Sequence, residues 1–138
     1  MQLSATLEML SKELAESEKP LKLSFERHEG YLYKHVREQK IFQFGQFNLR
    51  YFVIDVPNAV LIVRASEKDK GTKQTIPFRD LIKVLPEDIL NDEDRKCSWK
   101  HIFILFTFNR PFRLYAQTSE IKKEWIARLQ EIIDHYNN

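Results

Sequence analysis

Short runs of aromatic and β-branched residues recur from Gly30 to Gln117, each bounded by turn residues, and no helical pattern interrupts them. Such spacing demands strands joined by tight connections, and these close into an antiparallel sandwich or barrel; a parallel sheet would need helices between the strands. Seven strands are expected, over residues 30–36, 47–56, 59–65, 73–77, 81–85, 99–108 and 112–117. Pro57-Asn58, the polar Glu67-Lys68-Asp69-Lys70-Gly71 and Asn109-Arg110-Pro111 supply connections. Residues 86–98 lack an apolar pattern and read as a long exposed loop, with the acidic run Asn91-Asp92-Glu93-Asp94 solvated.

The pattern then changes. Ile121, Trp125, Ile126, Leu129, Ile132 and Ile133 form one stripe at helical spacing. Thr118 or Ser119 can cap this helix, and Glu120 and Glu124 sit in its early turns, where the helix dipole favours acid. A stripe that wide, carrying a Trp, must cover something, and an open end of the barrel is the natural place. At the other terminus Leu3, Leu7, Leu10 and Leu14 have helical spacing, ended by Pro20. That face carries Glu8, Glu13, Glu16 and Glu18 against Lys12, so it lacks the cationic face of a membrane-surface helix. An N-terminal helix and linker over residues 1–28 and a barrel domain over 29–138 are therefore expected.

Of the 138 residues, 43% are apolar and 30% charged, which fits one globular core and excludes disorder of the whole. Net charge is only +2, but it is unevenly spread: from Lys34 to Lys73 eight Lys or Arg stand against four carboxylates. One basic face would suit a phosphate-bearing surface, and a scatter of solvated charges is the plain alternative. A single cysteine, Cys97, excludes an internal disulfide framework and fits a reducing compartment. No apolar run approaches a membrane span, no signal-peptide pattern is visible, and Gln2 after Met1 removes the glycine that myristoylation needs. A cytoplasmic protein, peripheral to the membrane, is expected.

Catalytic signatures are missing. Glycines stand only at 30, 45 and 71, so there is no phosphate loop, and no metal-binding or nucleophile motif occurs. His28, His35, His101 and His135 are scattered, with His101 inside a strand pattern. Arg95, Lys96 and Lys100 near Cys97 would lower its pKa, but with no base in view an inert loop thiol is the simpler reading. No enzyme activity, cofactor or metal is expected. The modest charge and lack of recognition motifs argue against nucleic acid.

Glu29-Gly30-Tyr31-Leu32-Tyr33-Lys34, Phe47-Asn48-Leu49-Arg50-Tyr51-Phe52-Val53-Ile54 and Phe112-Arg113-Leu114-Tyr115-Ala116 followed by Glu124-Trp125-Ile126 occur in that order. Together these resemble the pleckstrin homology family, in its first strand, second strand, and last strand with helix. The resemblance covers about Glu29 to Tyr136 and implies a seven-stranded antiparallel barrel or sandwich capped by a C-terminal helix, with the N-terminal helix as an addition. It further implies a phosphoinositide-type site in which Lys34 and Arg50 match two of the family's basic positions. Asn48 stands where the middle basic residue belongs, and Val63 with Arg64 where strong inositol phosphate binders often carry Tyr. These departures point toward looser binding of a phosphate.

A phosphate needs donors converging from several segments. Lys34, Arg37 and Lys40 from the first loop, Arg50 from the second strand, and Arg64, Lys68, Lys70 and Lys73 from the next hairpin are the candidates. Ile41, Phe42 and Phe44 either enter the bilayer interface beside them or, if the second strand starts earlier, face the barrel interior. The expected function is recruitment, as a monomer, to an acidic phospholipid membrane through a phosphoinositide or phosphatidic acid. The alternative is a protein-interaction adaptor that uses its N- or C-terminal helix.

Overall fold

Every one of the expected strands forms, with ends shifted by a few residues. In the computed structural model the described residues are 23–36 and 46–137, so the leucine-striped N-terminal helix lies outside them. The strands are β1 (Arg27–Val36), β2 (Gln46–Asp55), β3 (Val60–Arg64), β4 (Thr72–Pro77), β5 (Leu81–Glu87), β6 (His101–Thr107) and β7 (Pro111–Ala116). They make one antiparallel sheet in the order β4-β3-β2-β1-β7-β6-β5. β1 and β2 pair along their whole length, from Arg27↔Asp55 to Val36↔Gln46. β1 and β7 pair only at Tyr33↔Tyr115 and Lys34↔Leu114. The sheet therefore divides there, and its halves fold over one another. Their inner faces share a single core: Leu32, Phe52, Leu61 and Ile76 from one half, Val84, Leu105 and Leu114 from the other. A 3-10 turn, Phe78–Asp80, joins the two edge strands, and its Phe78 N–H donates to the Ala59 carbonyl at 3.0 Å.

The helix α1 (Ser119–Asn137) begins where the Thr118 hydroxyl accepts the Ile121 N–H at 3.1 Å. This satisfies one of the amides that a helix start leaves without an internal partner. Trp125, Leu129, Ile132 and Ile133 are buried on its inner stripe. Trp125 fills the gap beside the start of β1, edge-on to His28 at 4.5 Å and to Phe52 at 6.3 Å between centroids. A Cβ built on Gly30 would meet the indole at 3.8 Å, an ordinary contact, so the glycine is not needed to make room. The segment leading into β1 is tied to the same helix, with the Ser24 backbone N–H donating to Glu131 at 2.6 Å.

The loop after β5 is not the exposed, solvated segment its composition suggests. Asp94 is fully buried and Cys97 is 2% exposed. The outer face of β1, β2, β6 and β7 carries Tyr33, Phe47, Ile102 and Tyr115, and the loop covers it with Leu90, Cys97 and Trp99 as a second small core. One carboxylate pins this cover. Asp94 accepts hydrogen bonds from the Nε and Nη2 groups along one edge of the Arg113 guanidinium, from the Tyr115 hydroxyl at 2.7 Å and from the Asn91 N–H at 2.9 Å. These donors outweigh the cost of burial and hold Asp94 down at about 2. Cys97 agrees with the inert reading: burial raises its thiol pKa, and Lys100 spends its ammonium on the Arg95 and Cys97 carbonyls.

Two stability tests follow. Trp125→Ala should cost about 3–5 kcal/mol in urea unfolding, the scale for deleting a large buried aromatic. A loss below about 1 kcal/mol would mean that the indole is not the closure described. Asp94 ionises more readily when folded, so its contribution is present above the usual carboxylate pKa and is lost as pH falls toward about 2. Unfolding free energy measured from pH 6 down to pH 2 should therefore fall by about 2 kcal/mol on its account. Asp94→Asn should remove that part of the slope while destabilising the protein at pH 6 by about 3–5 kcal/mol.

Candidate functional site

The inner face of β1 reads His28, Gly30, Leu32 and Lys34 in steps of two. The first two meet Trp125, Leu32 lies in the core, and Lys34 reaches the end of the barrel that α1 leaves uncovered. On β2 the same face runs Phe52, Arg50 and Asn48, with Arg50 opposite Leu32 and Asn48 opposite Lys34. β7 brings Leu114 beside Lys34, and the turn before β7 brings Arg110. The Lys34 ammonium stands 4.8 Å from the centre of the Phe112 ring, and the Arg110 guanidinium 5.1 Å from the same ring.

Lys34 is half-buried, and its pKa is lowered, first by burial and then by the charges of Arg110 and Arg50. The Arg50 guanidinium donates to the Leu49 carbonyl at 3.0 Å. Among the described residues no carboxylate forms an ion pair with Lys34, Arg50 or Arg110. Three cations from three strands or turns thus converge at one rim with no counter-ion among the described residues. An anion placed there would gain charge-assisted hydrogen bonds and relieve the repulsion among its hosts.

The other candidates are dispersed. Arg64 pairs with Tyr51 across β2 and β3, on the face that also carries Glu29, so it does not share the rim with Lys34. Lys68 and Lys70 are exposed in the β3–β4 connection, where the Glu67 N–H donates to the Tyr31 hydroxyl at 3.0 Å, and Lys73 is exposed in β4. Arg37, Lys40, Ile41, Phe42 and Phe44 lie outside the described residues. Arg110 was read from sequence only as a turn residue. Its signal was its place in the connection between the last two strands, which becomes a neighbour of Lys34 once β7 pairs with β1.

One cleft of about 340 Å³ lies beside Trp125 at the closed end, and another of about 530 Å³ runs along α1 by Pro86 and Lys122; neither touches Lys34, Arg50 or Arg110. Among the described residues no cluster of three or more His, Cys, Asp or Glu side chains could hold a metal ion. No described helix is long and apolar enough to cross a membrane.

A family model for the PH domain matches residues 26–134. Among solved structures the chain is similar to the PH domain of the human TBC1 domain family member 2 protein, with 19% identity, a TM-score of 0.60, and coverage of 87% of this chain and 91% of that one. The PH domain of human oxysterol binding protein-related protein 11 is similar at 20% identity and TM-score 0.59, covering 83% of this chain and 86% of that one. The C-terminal PH domain of pleckstrin in complex with D-myo-Ins(1,2,3,5,6)P5 is similar at 18% identity and TM-score 0.57, covering 77% of this chain and 93% of that one. No curated protein sequence matches the chain.

Because the folded state lowers the Lys34 pKa, its charged form is less welcome there than in the unfolded chain. Lys34→Met keeps the stem against Phe112 and removes the charge. It should raise stability by a few tenths to about 1 kcal/mol in thermal unfolding. A destabilised Lys34→Met protein would mean that the ammonium holds the rim together and is not under strain.

Proposed function

The chain belongs to the PH domain family, and from that premise we propose that it is a recruitment module for membranes rich in acidic phospholipid. PH domains are in general non-catalytic modules that bind membrane lipids or proteins. The observation that carries the lipid reading is the half-buried Lys34, whose charged neighbours among the described residues, Arg110 and Arg50, are both cations. Such a group is costly to the apoprotein and becomes favourable only when an anion arrives.

The proposed ligand is the phosphate of a lipid head group, in a phosphoinositide or in phosphatidic acid. Lys34, Arg50 and Arg110 are its principal donors, and Lys68 extends the basic surface outward. Arg37 and Lys40 would add charge from the loop after β1, and Ile41, Phe42 and Phe44 an apolar term. Arg64 would act as a peripheral charge, since it shares a face with Glu29 and Tyr51. Asn48, opposite Lys34, offers an amide where a third strand-borne cation would sharpen selection. A rim of this kind favours phosphate charge over the detailed stereochemistry of an inositol ring. The module would act as a monomer at the cytoplasmic membrane surface.

Liposome co-sedimentation tests this, with neutral, phosphatidylserine, phosphatidic acid and phosphoinositide vesicles, the acidic ones matched in surface charge. Binding should favour the phosphomonoester lipids. Lys34→Glu with Arg50→Glu should weaken it at least about a hundredfold, and Arg110→Glu at least about tenfold, given the worth of hydrogen bonds to charged groups. Binding that tracks surface charge alone and survives these reversals would overturn the site. Absence of binding to every acidic vesicle would leave the adaptor reading, to be pursued with the N- and C-terminal helices as bait.

A further inference from the structure

Phe108 is 77% exposed at the turn between β6 and β7, so its ring has almost no part in the core. The turn itself is firmly built. The Thr107 N–H and hydroxyl both donate to the Arg110 carbonyl, at 3.2 and 2.8 Å, and the Arg110 N–H donates to the Thr107 hydroxyl at 3.3 Å. The Phe108 N–H donates to the Asp80 carbonyl at 2.8 Å, bracing the turn against the corner between β4 and β5. The ladder of β6 and β7 ends at Phe106↔Pro111, so Phe108, Asn109 and Arg110 lie beyond the last paired residues. A large ring held outward by a hydrogen-bonded turn costs little conformational entropy to bury in something else.

We propose that Phe108 is a membrane-inserting anchor, which enters the interface of an acidic bilayer while Arg110 and Lys34 engage its phosphates. The inference rests on the lipid-binding reading of the cation rim and adds to it an apolar contact on a different element from the loop after β1. What selects a bilayer as the occupant is charge complementarity. Phe108 lies two residues from Arg110, whose guanidinium shares the Phe112 ring with Lys34, and no carboxylate pairs with either cation among the described residues. The geometry agrees. One ring at the end of a hairpin can enter a fluid interface without a matching cavity, whereas a protein partner would have to supply a pocket for it. An apolar term and an ionic term, each weak alone, then add at one contact.

The test uses the whole chain with a polarity-sensitive nitrobenzoxadiazole label on Phe108→Cys. Cys97 is 2% exposed and burial raises its thiol pKa, so labelling should be confined to position 108, and the wild-type chain is the control. With phosphatidylcholine vesicles containing phosphatidic acid, the label should shift to the blue and be quenched by nitroxide lipids. Phe108→Ala should weaken vesicle binding about fivefold to tenfold, the scale for partly burying one phenyl ring, and Phe108→Trp should preserve it. Both variants should bind soluble inositol hexakisphosphate as the wild type does, which shows the rim intact. If the label stays in water and Phe108→Ala binds vesicles normally while Lys34→Glu with Arg50→Glu abolishes binding, the anchor is overturned and the rim stands. If the wild type binds no acidic vesicle, the rim falls and the anchor with it.

Discussion

The indole of Trp125 decides which end of this barrel is closed. β1 and β7 share only two residue pairs, so their other ends diverge and leave a gap. Trp125 fills it from α1, and Leu129, Ile132 and Ile133 continue the seal along the same helix face. A gap filled by apolar area gains roughly 25 cal/mol for each Å² removed from water, so the helix is driven onto this end. No second helix among the described residues covers the other end. The rungs of β1 that point inward therefore pass from an indole to a core leucine to a rim lysine within seven residues, His28 to Lys34. The closure thus sets the place of the site.

The cationic character of that rim does not come from net charge, which is only +2. It comes from where the carboxylates are used. Glu29 pairs with Arg27 at 2.7 Å and accepts from the Tyr51 hydroxyl on the outer face. Asp94 and Glu87 share Arg113, Asp88 pairs with Lys122, and Glu131 holds Ser24 against α1. Each of these acids ties a strand, a loop or a terminus elsewhere, and none of them forms an ion pair with Lys34, Arg50 or Arg110. The same sorting explains why the folded chain tolerates a half-buried lysine beside two arginines: the stability it forgoes there is supplied by Asp94 and by the helix stripe.

Strands and helix were legible because their periods of two and 3.6 are written in local sequence, and the local patterns resembling the pleckstrin homology family fell in the right order. The features that were not legible all depend on register between distant segments. Asp94 looked solvated because its neighbours in sequence are polar, while its partners Arg113 and Tyr115 lie 19 and 21 residues further on. Arg64 was a lesser candidate from the next hairpin, and it sits opposite Tyr51, one position out of phase with the inner face. Arg110 looked like punctuation between strands until the β1–β7 pairing set its turn beside Lys34. Lys34 and Arg50 were named from the resemblance to the pleckstrin homology family, and the uninterrupted β1–β2 ladder puts both on the inner face.

Three cations gathered at one rim imply a particular kind of recognition for the proposed function. On the proposed reading Lys34, Arg50 and Arg110 would meet a phosphate together, with the Phe112 ring beneath Lys34 and Arg110. Three such donors would fix charge and distance more than the stereochemistry of a head group. Affinity for a free head group is then modest, and the surface that carries the head group has to supply the remainder. A neighbouring apolar ring on a braced turn supplies it at small entropic cost, because the membrane presents both phosphate and interface in one plane. The loose headgroup motif and the exposed Phe108 are consistent with one another on these terms: weak selection at the rim suffices when the ligand is a surface.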